Sequence, residues 1–228
     1  MAFRICAALA LVASFAMAGD PPSAEDAKVK VAALKAAREA EAKKAAIADA
    51  GTCPHATVAA ALAPMLADAD DAIRTAAVEA LGSMKGLADA ARALAGGVGP
   101  NAKKPEVLKA VFAAIGKVGH ATAIPMLKDF ASRNVPMKDE KASDATVAAV
   151  NALAEIKSKA SVEVLLDFYK KQVGIGMGCS AGIQAAVYSA ISGGLKTLTG
   201  ETFNSLPGEA ELWWRKNKDK FNEDMTKK

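Results

Sequence analysis

Few side chains in this sequence have the chemistry for covalent or metal work, and they stand far apart. Cys53-Pro54-His55, His120 and Cys179 form one nominal Cys₂His₂ set. Zinc sites usually bring their ligands in close pairs such as C-x₂₋₄-C, whereas these four are strewn from position 53 to position 179. A c-type haem needs C-x-x-C-H, which does not occur. Cys179 stands just before a helix expected from about Ala181, in "GMGCSAGIQAAV". A helix N-terminus lowers a thiol pKa, but a nucleophilic pair also needs a histidine, and only His55 and His120 exist. Cys179 therefore reads as a small loop cysteine. The glycines of "GIGMG", 174–178, follow a helix and precede no lysine, so neither a dinucleotide fold nor a P-loop is indicated. What that loop does offer is Ile175 and Met177 on a glycine tether, a candidate docking point for a partner. No Gly-x-Ser-x-Gly elbow appears, and the carboxylates are interleaved with lysines as on a solvated helix face. The reading is a non-enzyme with no metal and no cofactor.

The elements that carry these residues repeat. Ile73, Ala76, Ala77, Ala80, Leu81 and Met84 follow i, i+3, i+4, i+7, i+8, i+11, one stripe of a helix. Val107 to Val118, Ala145 to Ile156 and Ile183 to Gly194 repeat the stripe in the same phase, with Ala186 and Val187 at its second and third positions in the last copy. Val78, Phe112, Val150 and Tyr188 add an apolar residue five after each start. Shorter helices fall between: Val58, Leu62, Met65 and Leu66; Leu87, Ala91 and Leu94; Ile124, Leu127, Phe130 and Ala131; Val162, Leu165, Phe168 and Tyr169. Glycine- and proline-containing loops separate them, and no segment has the period of a strand. One N-terminal helix is expected over about 25–48, charged nearly all round, as a polar end piece. A helix pair recurring every 34–38 residues cannot bury its apolar face alone, whereas stacked copies can. Three such units put Cys53 and Cys179 about 30 Å apart, against the ~7 Å that a disulfide tolerates, so no bridge between them is expected.

"DDAIRTAAVEALGSMKG", 70–86, resembles the first helix of a HEAT-type or phycobilisome-lyase-like repeat, and "HATAIPMLKDF", 120–130, with its early Pro125, resembles the second. The resemblance covers about 57–198 and departs in two places: only Arg74 keeps the arginine, and Ala154 and Ser192 stand where Gly82 and Gly116 do. It implies an all-α, right-handed α-α superhelix of about four to five helix-pair units. Because some HEAT-like proteins handle tetrapyrrole cofactors, it also leaves open a lyase- or chaperone-like auxiliary role. The stretch "LKTLTGETF…WWRKNKDKF" resembles a segment attached to exported bacterial HEAT-like proteins.

That last stretch holds both tryptophans. Pro207 suits a first helical position, Glu209 and Glu211 suit the helix start, and Lys216, Lys218 and Lys220 suit its end. Trp214 shares a face with Phe221, while Trp213 lies about 100° round with Ala210 and Asn217. A stack needs a cap over its last unit, and aromatics cover an alanine-rich face well. The pair is expected to cap the core; the alternative is an exposed surface that stacks a sugar or a partner, with Trp213 and Trp214 as binding residues.

Composition and the first residues set compartment and class. Arg4, the apolar run 5–15 and Ala16-Met17-Ala18 have the order of a cleaved secretory signal, placing the protein in the periplasm or outside the cell. The run is too short to span a membrane, and Cys6 stands too early for a lipoprotein. Removing 1–18 leaves 28 basic against 25 acidic residues. That mild, interleaved balance lacks the clustered basic stripe of a nucleic-acid binder. Apolar residues are 52% of the chain but aromatics only 5%, so the core is built from Ala, Val, Leu and Ile in helices. Four segments are expected: the signal 1–18, a charged helix and linker 19–56, repeats 57–199, and a capping helix and tail 200–228. The function expected is a rigid scaffold for a protein partner in the cell envelope. A self-associating envelope protein joined through its loop thiols is the other alternative, and the sequence does not fix the oligomeric state.

Overall fold

The computed structural model describes residues 22–134, 140–174, 181–203 and 207–228. The expected signal segment 1–18, Ile175, Met177 and Cys179 lie outside these residues. Among the described residues the protein is all-helical, with eleven packed helices and no strand. They are α1 (Ala24–Ala36), α2 (Ala40–Gly51), α3 (Ala56–Leu62), α4 (Asp71–Gly82), α5 (Ala88–Gly97), α6 (Pro105–Val118), α7 (Ile124–Asn134), α8 (Glu140–Glu155), α9 (Lys159–Gly174), α10 (Ala181–Thr199) and α11 (Pro207–Asn217).

Local chemistry accounts for many of the helix ends. Ser23 and Asp26 close a capping box on α1, and Asp70 accepts the Ala72 N–H at 2.8 Å to start α4. Pro105 opens α6, and Gly119 ends it with a left-handed φ of 69°, its N–H bonded to Ile115 O. The tripeptide His-Ala-Thr occurs twice with one job. His55 Nδ1 accepts the Thr57 N–H before α3, and His120 Nδ1 accepts the Thr122 N–H before the 3₁₀ turn (Ala121–Ala123) that leads into α7, both at 3.2 Å. Ser158 Oγ takes the same role before α9 through the Ala160 N–H at 3.2 Å.

The helices pack in two alternating series. In one, α2 lies on α4, α4 on α6, α6 on α8 and α8 on α10; in the other, α3 lies on α5, α5 on the turn that opens α7, α7 on α9 and α9 on α11. The stripes face inward as expected: Ile73, Ala77 and Leu81 on α4 with Met84 just past its end, Val111 and Ile115 on α6, Ala149 and Leu153 on α8, and Val187 and Ile191 on α10 are buried. Ala186 departs from its stripe: it is exposed, on the wall of an open groove between α8 and α10. Small residues set the spacing in the first series. A methyl group added at Gly82 would stand 3.0 Å from Ala114 Cβ, and one at Gly194 would stand 2.9 Å from Ala154 Cβ. The backbones therefore touch where the sequence has glycine.

The single charged helix expected over 25–48 is two helices. The chain turns back at 37–39, so that Ala27 and Leu34 of α1 are buried against α2 and α3, and Lys30 reaches Asp49 at 2.5 Å. Ile47 and Ala50 are fully buried, and Gly51 lies against Ala80. α2 is thus a full member of the first series, its apolar contribution condensed into two residues of a charged helix. A buried polar node ties the series nearby. Asn101, fully buried, donates to Leu66 O at 2.9 Å and Gly97 O at 2.7 Å, and accepts from Arg74 Nη1 at 2.8 Å.

Candidate binding cleft at the paired tryptophans

Two adjacent residues on a helix point about 100° apart, and α11 uses that angle to divide its tryptophans. Trp214 turns inward, 4% exposed, in contact with the core and with its ring centroid 6.0 Å from Phe221. This is the capping position expected for the pair. Its indole Nε1 is buried without a hydrogen-bond partner, a cost that the apolar cover offered by the ring must exceed. Trp213 is only partly buried. Its ring meets Phe203 edge-on at 5.6 Å and Phe221 at 6.3 Å. Behind Phe203 stand the two tyrosines: Tyr169 and Tyr188 stack at 5.3 Å with hydroxyls 2.8 Å apart, and Tyr169 also reaches Phe203 O at 3.4 Å. The tyrosine pair ties α9 to α10 and, through the Phe203 carbonyl, to the 200–203 segment, whose Phe203 ring meets Trp213 of α11.

The lysine tail is folded. After a 3₁₀ turn at Lys218–Lys220 the chain doubles back: Phe221 bridges Lys227, the Asn222 N–H donates to Thr226 O at 2.8 Å, and the Lys228 N–H donates to Lys220 O at 2.9 Å. Met225 takes the left-handed φ of 63° that closes such a three-residue loop. Asp224 accepts from the Thr226 hydroxyl at 2.6 Å and N–H at 3.0 Å, bonds that hold its carboxyl below the ordinary range. Phe221 and Met225 are buried, and Glu223 anchors the hairpin to α9 through the Lys159 N–H at 3.2 Å and Lys159 Nζ at 3.3 Å. On α11, Glu211 reaches Lys170 of α9 at 2.6 Å.

Between this hairpin and α11 lies a cleft of about 430 Å³. Its lining holds Trp213 and Phe221 as aromatic surface, Thr199 and Asn217 as polar groups, Lys220, Lys227 and Lys228 as cations, and Glu201 as a carboxylate. Asn217 spends its amide N–H on Trp213 O at 2.8 Å, so its carbonyl oxygen remains as an acceptor. A smaller hollow of about 250 Å³ on the other side of α11 mixes Glu163, Asp167, Lys170, Glu211, Arg215 and Lys218 around Trp214. The groove between α8 and α10, about 520 Å³, is lined mainly by small side chains.

The chemical candidates remain apart. His55 and His120 cap different helix pairs, each through its Nδ1. Cys53 is buried and forms no disulfide among the described residues; burial pushes its thiol up from the ordinary value, with Asp26 adding to the rise. Among the described residues no group of three or more His, Cys, Asp or Glu could hold a metal ion, and no helix is long and apolar enough to cross a membrane. The folded hairpin and the tyrosine pair have no counterpart in the sequence reading. The hairpin's signal is Asn222 and Asp224 in a short turn flanked by Phe221 and Thr226, obscured by the surrounding lysines. No protein-family model matches the chain, and no curated protein matches it in sequence.

Proposed function

We propose that this protein is an exported, non-catalytic scaffold of the HEAT-like kind, a right-handed α-α superhelix that binds a protein partner in the cell envelope. The observation that carries the reading is the alternate packing, α2-α4-α6-α8-α10 beside α3-α5-α7-α9-α11, with the α5 step made to the turn that opens α7, so that most helices pack on the second helix before and after. Such a stack grows by adding pairs and presents broad surfaces of parallel helices and loops, which suit a protein partner better than a small substrate. The stripes at 34–38-residue spacing and the Gly82–Ala114 and Gly194–Ala154 approaches support the same architecture. Export rests on the residues 1–18.

The test is capture from an envelope extract of the native host on the immobilised protein. One protein retained in stoichiometric amount, and released by competition with free scaffold, is the expected outcome. Retention of nothing that the free scaffold competes away overturns the reading.

A further inference from the structure

We propose that the cleft between Trp213 and the 220–228 hairpin takes an acidic peptide segment, with carboxylates on Lys220, Lys227 and Lys228 and one apolar or aromatic side chain against Trp213. This rests on the scaffold reading and names the chemistry of its partner.

Three observations lead there. Lys220 and Lys228 are eight positions apart in sequence, yet the bond from the Lys228 N–H to Lys220 O at 2.9 Å sets them side by side, with Lys227 next to them. Like charges held across a ladder destabilise it. None of the three has an ion-pair partner among the described residues, although lysines on α1, α2, α6 and α9 are paired with carboxylates. A fold that concentrates unpaired positive charge on one rim is complementary to an anion. The second observation is the aromatic wall of the cleft: a partly exposed tryptophan backed by the buried ring of Phe221 and the half-buried ring of Phe203 has the form of an anchor pocket at a protein interface.

The third concerns shape. Stacking on a sugar needs one open, flat ring face, whereas Trp213 is hemmed in by Phe203 edge-on and by Phe221 at a tilt of 55°. That makes a recess for an inserted side chain, and about 430 Å³ suits a few residues of chain. Glu201, also in the lining, repels a uniformly anionic polymer that fills the cleft but tolerates a peptide whose acids meet the lysines.

The probe is a fluorescein-labelled peptide, acetyl-Glu-Asp-Phe-Glu-Asp-amide, titrated with the full chain and read by fluorescence anisotropy at two salt concentrations. Saturable binding is expected, weakening with salt. Lys220→Glu with Lys228→Glu should weaken it by about tenfold or more, and so should Trp213→Ala. Lys85→Glu with Lys117→Glu, the same charge change at exposed sites on α4–α6, should leave it unchanged. Because Lys220 and Lys228 are exposed, the cleft variant is expected to melt with the wild type. Absence of saturable binding, equal weakening by both lysine pairs, or binding of an oligogalacturonate in place of the peptide overturns the proposal. Undiminished retention of the envelope partner by the Lys220→Glu/Lys228→Glu variant also overturns it, while the scaffold reading stands.

Discussion

Trp213 and Trp214 are the same side chain one position apart, and the rotation of α11 gives them opposite energetic roles. Trp214 is 4% exposed and covers core surface beside Phe221, so truncation leaves a large cavity. Trp214→Ala should cost about 3–5 kcal/mol, seen as a large fall in melting temperature. Trp213 lines an open cleft, and Trp213→Ala should cost on the order of 1 kcal/mol while weakening peptide binding by about tenfold or more. Equal destabilisation by the two changes would contradict this division. Cys53 allows a chemical check at the same scale. Its buried thiol is held above the ordinary value chiefly by desolvation, so the reactive thiolate is scarce in the native state. Alkylation by iodoacetamide at neutral pH should be far slower in the folded protein than in urea, as followed by mass spectrometry.

Helices that approach at glycine make a sharper test of packing than any apolar residue does. In an open helix Gly→Ala gains about 1 kcal/mol. At Gly194 the new methyl would stand 2.9 Å from Ala154 Cβ and 3.1 Å from Leu165 Cδ1, and overpacking costs about 1–3 kcal/mol. Gly194→Ala should therefore destabilise in urea, and adding Ala154→Gly should recover most of the loss. The segment between α3 and α4 responds to pH. Asp68 accepts the Asp70 N–H at 3.0 Å and Lys43 Nζ at 3.1 Å, in that order the causes that hold its carboxyl below the ordinary 3.8. A depressed folded pKa contributes stability above the unfolded value and loses it as pH falls through the folded one. Asp68→Asn should thus be less stable than wild type at about pH 7, with the gap closing below about pH 4. Periodicity made α4 to α10 legible, because α4, α6, α8 and α10 repeat six apolar positions in one phase and the shorter helices between them carry three or four. α2 escaped it because Ile47, Ala50 and Gly51 carry the packing of a helix whose other residues are mostly alanine or charged. The hairpin escaped because its pairing depends on main-chain bonds between Lys220 and Lys228, which leave no period in the sequence. Division of labour between the tryptophans was legible only as an angle, since which face is inner depends on where α11 lies on α9.

Across the whole molecule, the proposed stack makes a claim about cooperativity that a globule would not share. Stability in a linear array is a sum of unit terms and neighbour terms, so damage at one place is felt nearby and fades with distance. Asn101 is the place to apply it. It is fully buried, satisfies Leu66 O and Gly97 O, and receives Arg74, joining the 3₁₀ turn Ala63–Ala67 that follows α3, the end of α5 and the face of α4. Asn101→Ala removes the donor from two buried carbonyls and the acceptor from a guanidinium, a cost of about 1–3 kcal/mol. Native-state hydrogen exchange should then show lost protection concentrated in α3 to α6, with α9 and α11 close to wild type. The packing supplies the reason: among the described residues α9 packs on α7, α8, α10 and α11, and α11 packs on α9, one layer removed from α3 to α6. A uniform loss of protection from α2 to α11 would mean that the chain unfolds as one unit, and would remove the energetic basis for reading it as a stack of pairs.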